Sequence, residues 1–178
     1  MRVIAGTYKG RKLESPENYD IRPTTDKAKE ALFSILMNEI PGSRVLDLFA
    51  GSGALGIEAL SRGAESCVFV DHSRLSTALI KRNLASCGVR EDARVVTGDY
   101  RKVLAGLAGS FDIILMDPPY NKGLLPDGFE LIRQQDLLAE DGYIVCEHRK
   151  EEELPEEICG FTREKERRYG IVKLSIYR

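Results

Sequence analysis

The sequence predicts an α/β fold: an open, doubly wound, mostly parallel sheet that ends in an antiparallel hairpin. Three observations lead there. Short apolar, β-branched runs at residues 44–48, 67–70, 94–97, 111–116 and 143–146 alternate with helix-like stretches at 54–61, 73–87, 101–108 and 124–138. The runs are apolar nearly throughout, as strands are when helices cover both faces of a parallel sheet. Regular strand–helix alternation builds right-handed βαβ units, and 178 residues with 43% hydrophobic side chains can bury the core that such units need.

Taken in order, residues 2–5 and 11–13 flank Gly6 and Gly10 and suit a small hairpin, so residues 1–22 read as a basic extension and 23–178 as the main domain. A helix is expected over residues 24–40. Pro23 and Thr24 mark its start, Pro41 and Gly42 its end, and Ala28, Ala31, Leu32, Ile35 and Leu36 share one face. The alternating strands and helices follow. Residues 151–157, acidic and broken by Pro155, read as a solvated face; then 161–168 and 171–177 face each other across Tyr169 and Gly170 as a hairpin closing the sheet edge.

Net charge is −2, but it is unevenly spread. Residues 1–12 hold Arg2, Lys9, Arg11 and Lys12 with no acid, and residues 160–178 hold six bases against Glu164 and Glu166, which leaves the body strongly acidic. Two basic ends are compatible with a polyanion docking beside an acidic site. On charge alone, solvation of terminal strands is the simpler explanation. Cys67, Cys87, Cys146 and Cys159 are scattered, with no C-x-x-C pair and no histidine at metal-ligand spacing, so reduced thiols, a cytoplasmic location and no metal are expected. No uncharged stretch is long enough to span a bilayer, and MRVIAGTYKGRK lacks the pattern of a signal peptide, so no membrane partner is expected.

Four aspartates, Asp47, Asp71, Asp99 and Asp117, fall at the ends of the first four core strands. In an open parallel sheet ligands bind beyond the carboxyl ends of the strands, so these acids should line one crevice. Helix capping is the competing role. It accounts for Asp99 as well as ligand binding does, and Ser73 can cap in place of Asp71. Asp47 precedes a loop, and Asp117 precedes two prolines.

The loop Asp47-Leu48-Phe49-Ala50-Gly51-Ser52-Gly53-Ala54-Leu55-Gly56 satisfies G-x-G-x-x-G, with Asp71 twenty residues beyond Gly51. Taken by itself that spacing is a dinucleotide-binding fingerprint, and a NAD-dependent oxidoreductase is one reading of it. A carboxylate just ahead of the loop is a poor neighbour for pyrophosphate. It suits S-adenosylmethionine, which carries an ammonium and a sulfonium. Asp47 would hold the amino group directly or through water, Gly51 and Gly53 would pass beside the methionyl part, Asp71 would take the ribose, and Asp99 with Gly98 and Tyr100 would lie near the adenine.

The run FDIILM leads into Asp117-Pro118-Pro119-Tyr120. An exocyclic base amine is a poor nucleophile, and hydrogen bonds to the Asp117 carboxylate and the Pro118 carbonyl would aim its lone pair at a methyl group. Pro118 and Pro119 remove competing N–H groups and restrict the backbone. Tyr120 offers a face on which a flipped base can stack.

VLDLFAGSGALGIEALSRGA together with DPPY resembles the amino-methyltransferases that use S-adenosylmethionine. With RVIAGTYKGRKL, IRPTTDKAKEALFSIL, DPPYNKGLL and RRYGIVKLSIYR, the resemblance narrows to the RsmD family of bacterial 16S rRNA guanine-N2 methyltransferases and runs nearly end to end. It implies a Rossmann-like, seven-stranded methyltransferase sheet with a short N-terminal hairpin and helix extension. It implies cofactor contacts at Asp47, Phe49, Ala50, Gly51, Gly53, Asp71, Asp99 and Tyr100, and target-base contacts at Asp117, Pro118, Pro119 and Tyr120. RNA contacts would fall on Arg2, Lys9, Arg11, Lys12, Arg22 and Lys27, with 16S rRNA in the small subunit or an assembly intermediate as partner. DPPY alone is shared with enzymes acting on DNA adenine or cytosine or on a protein amide, which stand as alternatives. One departure is Ala5, where a second glycine is expected. His72 and His148 are expected at the surface or in loops, and Ser52 lies outside any G-x-S-x-G motif.

Overall fold

The computed structural model describes residues 1–16, 25–89, 91–120 and 122–178. After helix α1 (Thr25–Ile35), strands and helices alternate: β1 (Arg44–Leu48), α2 (Ala54–Ser61), β2 (Ser66–Asp71), α3 (Arg74–Cys87), β3 (Ala93–Thr97), α4 (Tyr100–Ala105), β4 (Phe111–Met116), α5 (Leu124–Gln134) and β5 (Leu138–Arg149). The chain closes with β6 (Glu157–Ile158), β7 (Phe161–Tyr169) and β8 (Val172–Tyr177). The sheet runs β3-β2-β1-β4-β5-β8-β7-β6. Its first five members are parallel, and β8 is antiparallel to both of its neighbours. Strand order reverses at β1, so the crevice between the carboxyl ends of β1 and β4 is the place such a sheet reserves for a ligand.

Successive residues on a strand face opposite sides, and the core divides accordingly. Val45, Phe69, Ile113 and Val145 point into a layer with Phe33, Ile57 and Ile80 of α1 to α3. Leu46, Leu48, Ile114 and Ile144 point into the other, with Leu104, Phe129 and Ile132 of α4 and α5. Helix α2 rides unusually close to β2. A Cβ on Gly56 would stand 2.3 Å from the Phe69 ring and 2.7 Å from Cys67 Sγ. Among the described residues no helix is long and apolar enough to cross a membrane.

Several boundaries differ from the sequence pattern. The sheet has eight strands where seven were expected, because the two-residue β6 pairs with the start of β7. Helix α1 stops at Ile35 and residues 36–40 form turns, with the Ile40 N–H donating to Leu36 O at 3.2 Å. Helix α5 ends at Gln134, and Asp136 at φ 50 turns the chain into a strand of twelve residues. The polar ends of β5 had hidden it: Leu138 pairs with Phe111 across a bulge, and Glu147–Arg149 pair with β8. The C-terminal hairpin forms, but β8 lies inside the sheet and β7 beyond it. The N-terminal hairpin contracts to one bridge between Arg2 and Lys12. Arg22, Pro23 and Thr24 lie outside the described residues.

Residues 1–16 are built onto the domain. Val3 and Leu13 are buried in the first core layer. Glu58 of α2, fully buried, accepts the N–H groups of Ile4 at 2.8 Å and Ala5 at 3.0 Å. It also pairs with Lys29 at 3.4 Å and Arg62 at 2.8 Å. Tyr8 N–H donates to Ser61 Oγ, and Asn83 of α3 exchanges hydrogen bonds with the Glu14 backbone. Removing one member of a buried pair strands the other in low dielectric. Glu58→Ala should therefore cost about 3–5 kcal/mol in urea unfolding at neutral pH, and should free the first residues to rapid amide exchange.

Candidate active site at the carboxyl ends of the strands

Asp47 lies on β1 with only 2% of its surface exposed. Its Oδ2 accepts the Gly56 N–H at 2.9 Å, so the carboxylate holds the first turn of α2. Asp71, at the end of β2, accepts from Gly51 N–H through Oδ2 and from Ser73 N–H through Oδ1, each at 2.9 Å. Gly53 N–H donates to Ala50 O at 2.7 Å, and Ala50 N–H to Val70 O at 2.9 Å. The amide hydrogens of Gly51, Gly53 and Gly56 are thus turned inward onto two carboxylates and a carbonyl. Burial raises the Asp47 pKa to about 7, with the Gly56 N–H opposing the shift and the Asp71 charge adding to it.

The loop also exposes backbone. Gly51 sits at φ 58, and a Cβ there would meet no atom within 4 Å, which leaves open space along the main chain. Phe49 adopts φ 70 without being glycine, a conformation that costs about 1–3 kcal/mol and persists where neighbours enforce it. Its ring meets Tyr100 edge-on, with centroids 5.0 Å apart. Tyr100 donates its hydroxyl to Asp127 of α5, and Arg101 covers the ring at 4.7 Å while pairing with Asp127 at 3.0 Å. Burial and Asp127 push the Tyr100 phenol up to about 12, so it is a protonated wall of the crevice. Asp99, exposed, accepts from Arg101 N–H at 2.8 Å and caps α4.

On the other side of the crevice β4 runs beside β1, with Leu48 opposite Met116. The next residues are Asp117, half-buried, then Pro118, buried, Pro119, exposed, and Tyr120, half-buried. Tyr120 donates its hydroxyl to Glu147 Oε1 at 3.1 Å, and the Arg149 guanidinium lies 5.5 Å from the ring centroid. Glu147 and Arg149 share one face of β5, whose register with β4 brings them to this end of the sheet.

Residues 1–178 match the family model described as Conserved hypothetical protein 95. Ribosomal RNA small subunit methyltransferase D of Escherichia coli (strain K12) is 36% identical over 177 residues, spanning 99% of this chain and 89% of its own. The chain belongs to the RsmD family. YlbH of Bacillus subtilis (strain 168) is 42% identical over 181 residues, covering 100% of this chain and 98% of its own. The solved structure of yhhF from Escherichia coli aligns with a TM-score of 0.89 at 36% identity, over 99% of this chain and 96% of that one.

Around the loop, this RsmD-family structure gathers Asp47, Phe49, Ala50, Gly51, Gly53, Asp71 and Tyr100. Asp99 stands at the rim, with one carboxylate oxygen on the helix cap. Asp71 keeps acceptor capacity, since a carboxylate has about four lone-pair sites and two are filled here. Arg2, Lys9, Arg11, Lys12 and Lys27 are exposed, and Arg22 lies outside the described residues. His72 is exposed as expected, but His148 is fully buried in β5, where its Nε2 meets Ser175 Oγ at 2.8 Å. Pairing with β8 covers a histidine that looks like a strand-end residue in sequence. Asp127, Glu147 and Arg149 were missed. For Glu147 and Arg149 the one signal in the sequence is polar residues just beyond an apolar run, which read equally well as the end of a strand; Asp127 stands inside a helix-like stretch and gives none.

Burial of Asp47 makes stability depend on pH. From about pH 4 to about pH 7 the folded chain holds a proton on Asp47 that the unfolded chain has shed. This stabilisation is complete below the ordinary carboxylate range and is lost as pH rises towards about 7. Asp47→Asn keeps an acceptor for Gly56 and cannot ionise, so across that interval it should gain stability relative to wild type. Urea midpoints of the two proteins across the interval will show it.

Proposed function

We propose that this protein transfers a methyl group from S-adenosylmethionine to the exocyclic N2 amine of one guanine in 16S rRNA. The substrate is the small ribosomal subunit or its assembly intermediate, and the reaction is cytoplasmic. Residues 1–22 serve as the RNA-contacting extension and 23–178 as the methyltransferase domain. The observation that carries the reading is the adjacency of two strand ends: the glycine loop after β1 and Asp117-Pro118 after β4, on neighbouring parallel strands.

When bound, S-adenosylmethionine supplies a methyl group on a positively charged sulfur. The chain's own residues fit such a ligand better than a dinucleotide. Asp47 in its ionised form accepts from the ammonium, and Asp71 has capacity for the ribose hydroxyls. Phe49 and Tyr100 line an apolar wall for the adenine, with Asp99 at its rim and Ala50, Gly51 and Gly53 alongside. The amides of Gly51, Gly53 and Gly56 are already donated to Asp71, Ala50 and Asp47, which leaves fewer donors for the pyrophosphate of NAD and sets a carboxylate beside it.

At the acceptor side, the Asp117 carboxylate and the Pro118 carbonyl take the two hydrogens of the target amine. That directs the nitrogen lone pair at the methyl group, and holding the reacting atoms in line supplies much of the rate. Pro118 and Pro119 contribute no N–H to compete. Tyr120 stacks on the base, its ring steadied by Glu147 and Arg149. The proton shed after transfer passes to Asp117 or to water.

Asp117→Ala should lower methyl transfer by about 10²–10³-fold while S-adenosylhomocysteine affinity stays within experimental error of wild type. Labelled methyl groups recovered as N2-methylguanine from small subunits or naked rRNA support the reading; label entering only DNA or protein overturns it. Reversing the charges of Arg11 and Lys12 should weaken RNA binding and flatten its salt dependence by about 0.7 for each phosphate that is no longer neutralised, as measured by binding titrations at several salt concentrations.

A further inference from the structure

The second basic segment of the chain, at its C-terminal end, is left unused by the site described so far. Register places it. β5 runs parallel to β4 with Cys146 opposite Met116, so residues 147–149 flank Asp117 and Tyr120. β8 pairs with that end of β5, Val172 opposite Arg149, and Lys150 N–H donates to Ile171 O at 3.0 Å. The turn of the β7–β8 hairpin therefore projects at the same end of the sheet as Tyr120. Directly paired residues share a face, and Glu147, Leu174 and Arg167 form one row across β5, β8 and β7. Arg167 thus lies two strands out from Glu147, roughly 10 Å away, on the face where Glu147 holds the Tyr120 hydroxyl. Arg168 follows it on the opposite face.

The charges here are sorted by partner. Glu166 pairs with Arg163 at 3.0 Å and Lys173 at 3.2 Å, and Lys173 also meets Glu153 at 3.1 Å. Arg167 and Arg168 are exposed and, among the described residues, have no ion pair; each gives one hydrogen bond to a main-chain oxygen, of Glu166 and Gly170 respectively. A guanidinium has five donors, so most of each fork faces solvent. β6 covers only the first residues of β7, which leaves the rest as an edge. Charge of either sign protects an edge from pairing, but that does not explain two adjacent arginines without an acid at this end, where Glu151, Glu153 and Glu166 are each paired with Lys150, Lys173 or Arg163.

We propose that the tip of the β7–β8 hairpin, through Arg167 and Arg168, binds phosphates of the RNA strand that delivers the target base. The inference rests on the rRNA reading above. Residues 1–16 dock on α2 and α3, over the β1-β2-β3 side of the sheet. The hairpin stands on the other side, beyond β5. An RNA strand that sends one base into a central crevice continues in both directions, and the two basic elements meet its two arms.

The test compares wild type with the double variants Arg167→Gln/Arg168→Gln and Arg167→Glu/Arg168→Glu, using a small-subunit rRNA transcript and intact small subunits. Urea midpoints and S-adenosylhomocysteine affinity should match wild type. The neutral variant should raise KM about tenfold with kcat unchanged, and should reduce the slope of log K against log salt by about 1.4, the value for two single-strand phosphates. The reversed variant should go further. KM and salt slope equal to wild type, in variants that fold and bind S-adenosylhomocysteine normally, would overturn the inference alone. Loss confined to intact subunits, with the slope on naked rRNA unchanged, would assign the tip to a ribosomal protein and overturn the phosphate reading. No methyl transfer to rRNA by wild type would overturn the reading beneath it and this inference with it.

Discussion

Two carboxylates hold the glycine loop from below. Asp47 takes the amide hydrogen of Gly56 and Asp71 that of Gly51, so acids hold both the turn after β1 and the first turn of α2. Much else depends on this. It sets the start of α2, ties the end of β2 to the loop, and places two carboxylates beside the crevice. The cost is a buried carboxylate: desolvation, with the Asp71 charge adding to it, outweighs the Gly56 amide and raises the Asp47 pKa.

The β4 side of the crevice follows a different logic. Asp117 to Tyr120 present oxygen atoms on a chain stiffened by two prolines, and the support comes from the next strand. Glu147 and Arg149 reach Tyr120 because β5 extends well beyond its apolar middle. That extension is itself stabilised by β8, which enters the sheet antiparallel and covers His148 through Ser175. The hairpin that ends the chain thus determines how firmly the tyrosine at the site is held.

Glu58 plays the corresponding part for the N-terminal residues. One fully buried acid accepts two backbone amides and balances Lys29 and Arg62, so a segment with a single β-bridge is nonetheless seated on the domain. Exposed lysines and arginines on so anchored a strip hold their positions relative to the crevice, which a free tail would not allow.

Local patterning was sufficient for β1, α2 and β4, whose ends fall where apolar runs and glycines place them, and for the four aspartates at or just beyond the ends of β1 to β4. In each case the signal acts over a few neighbouring residues: strand period, turn-forming glycine, proline-restricted backbone. The tertiary structure alone decided that β5 runs from Leu138 to Arg149, that His148 is interior, that Glu147 and Arg149 attend Tyr120, and that Glu58 anchors the first residues. Each depends on partners far away in the chain, and His148, Glu147 and Glu58 are polar groups that those partners bury. A buried charge with its partner and an exposed charge without one are written with the same letter, and only folding distinguishes them.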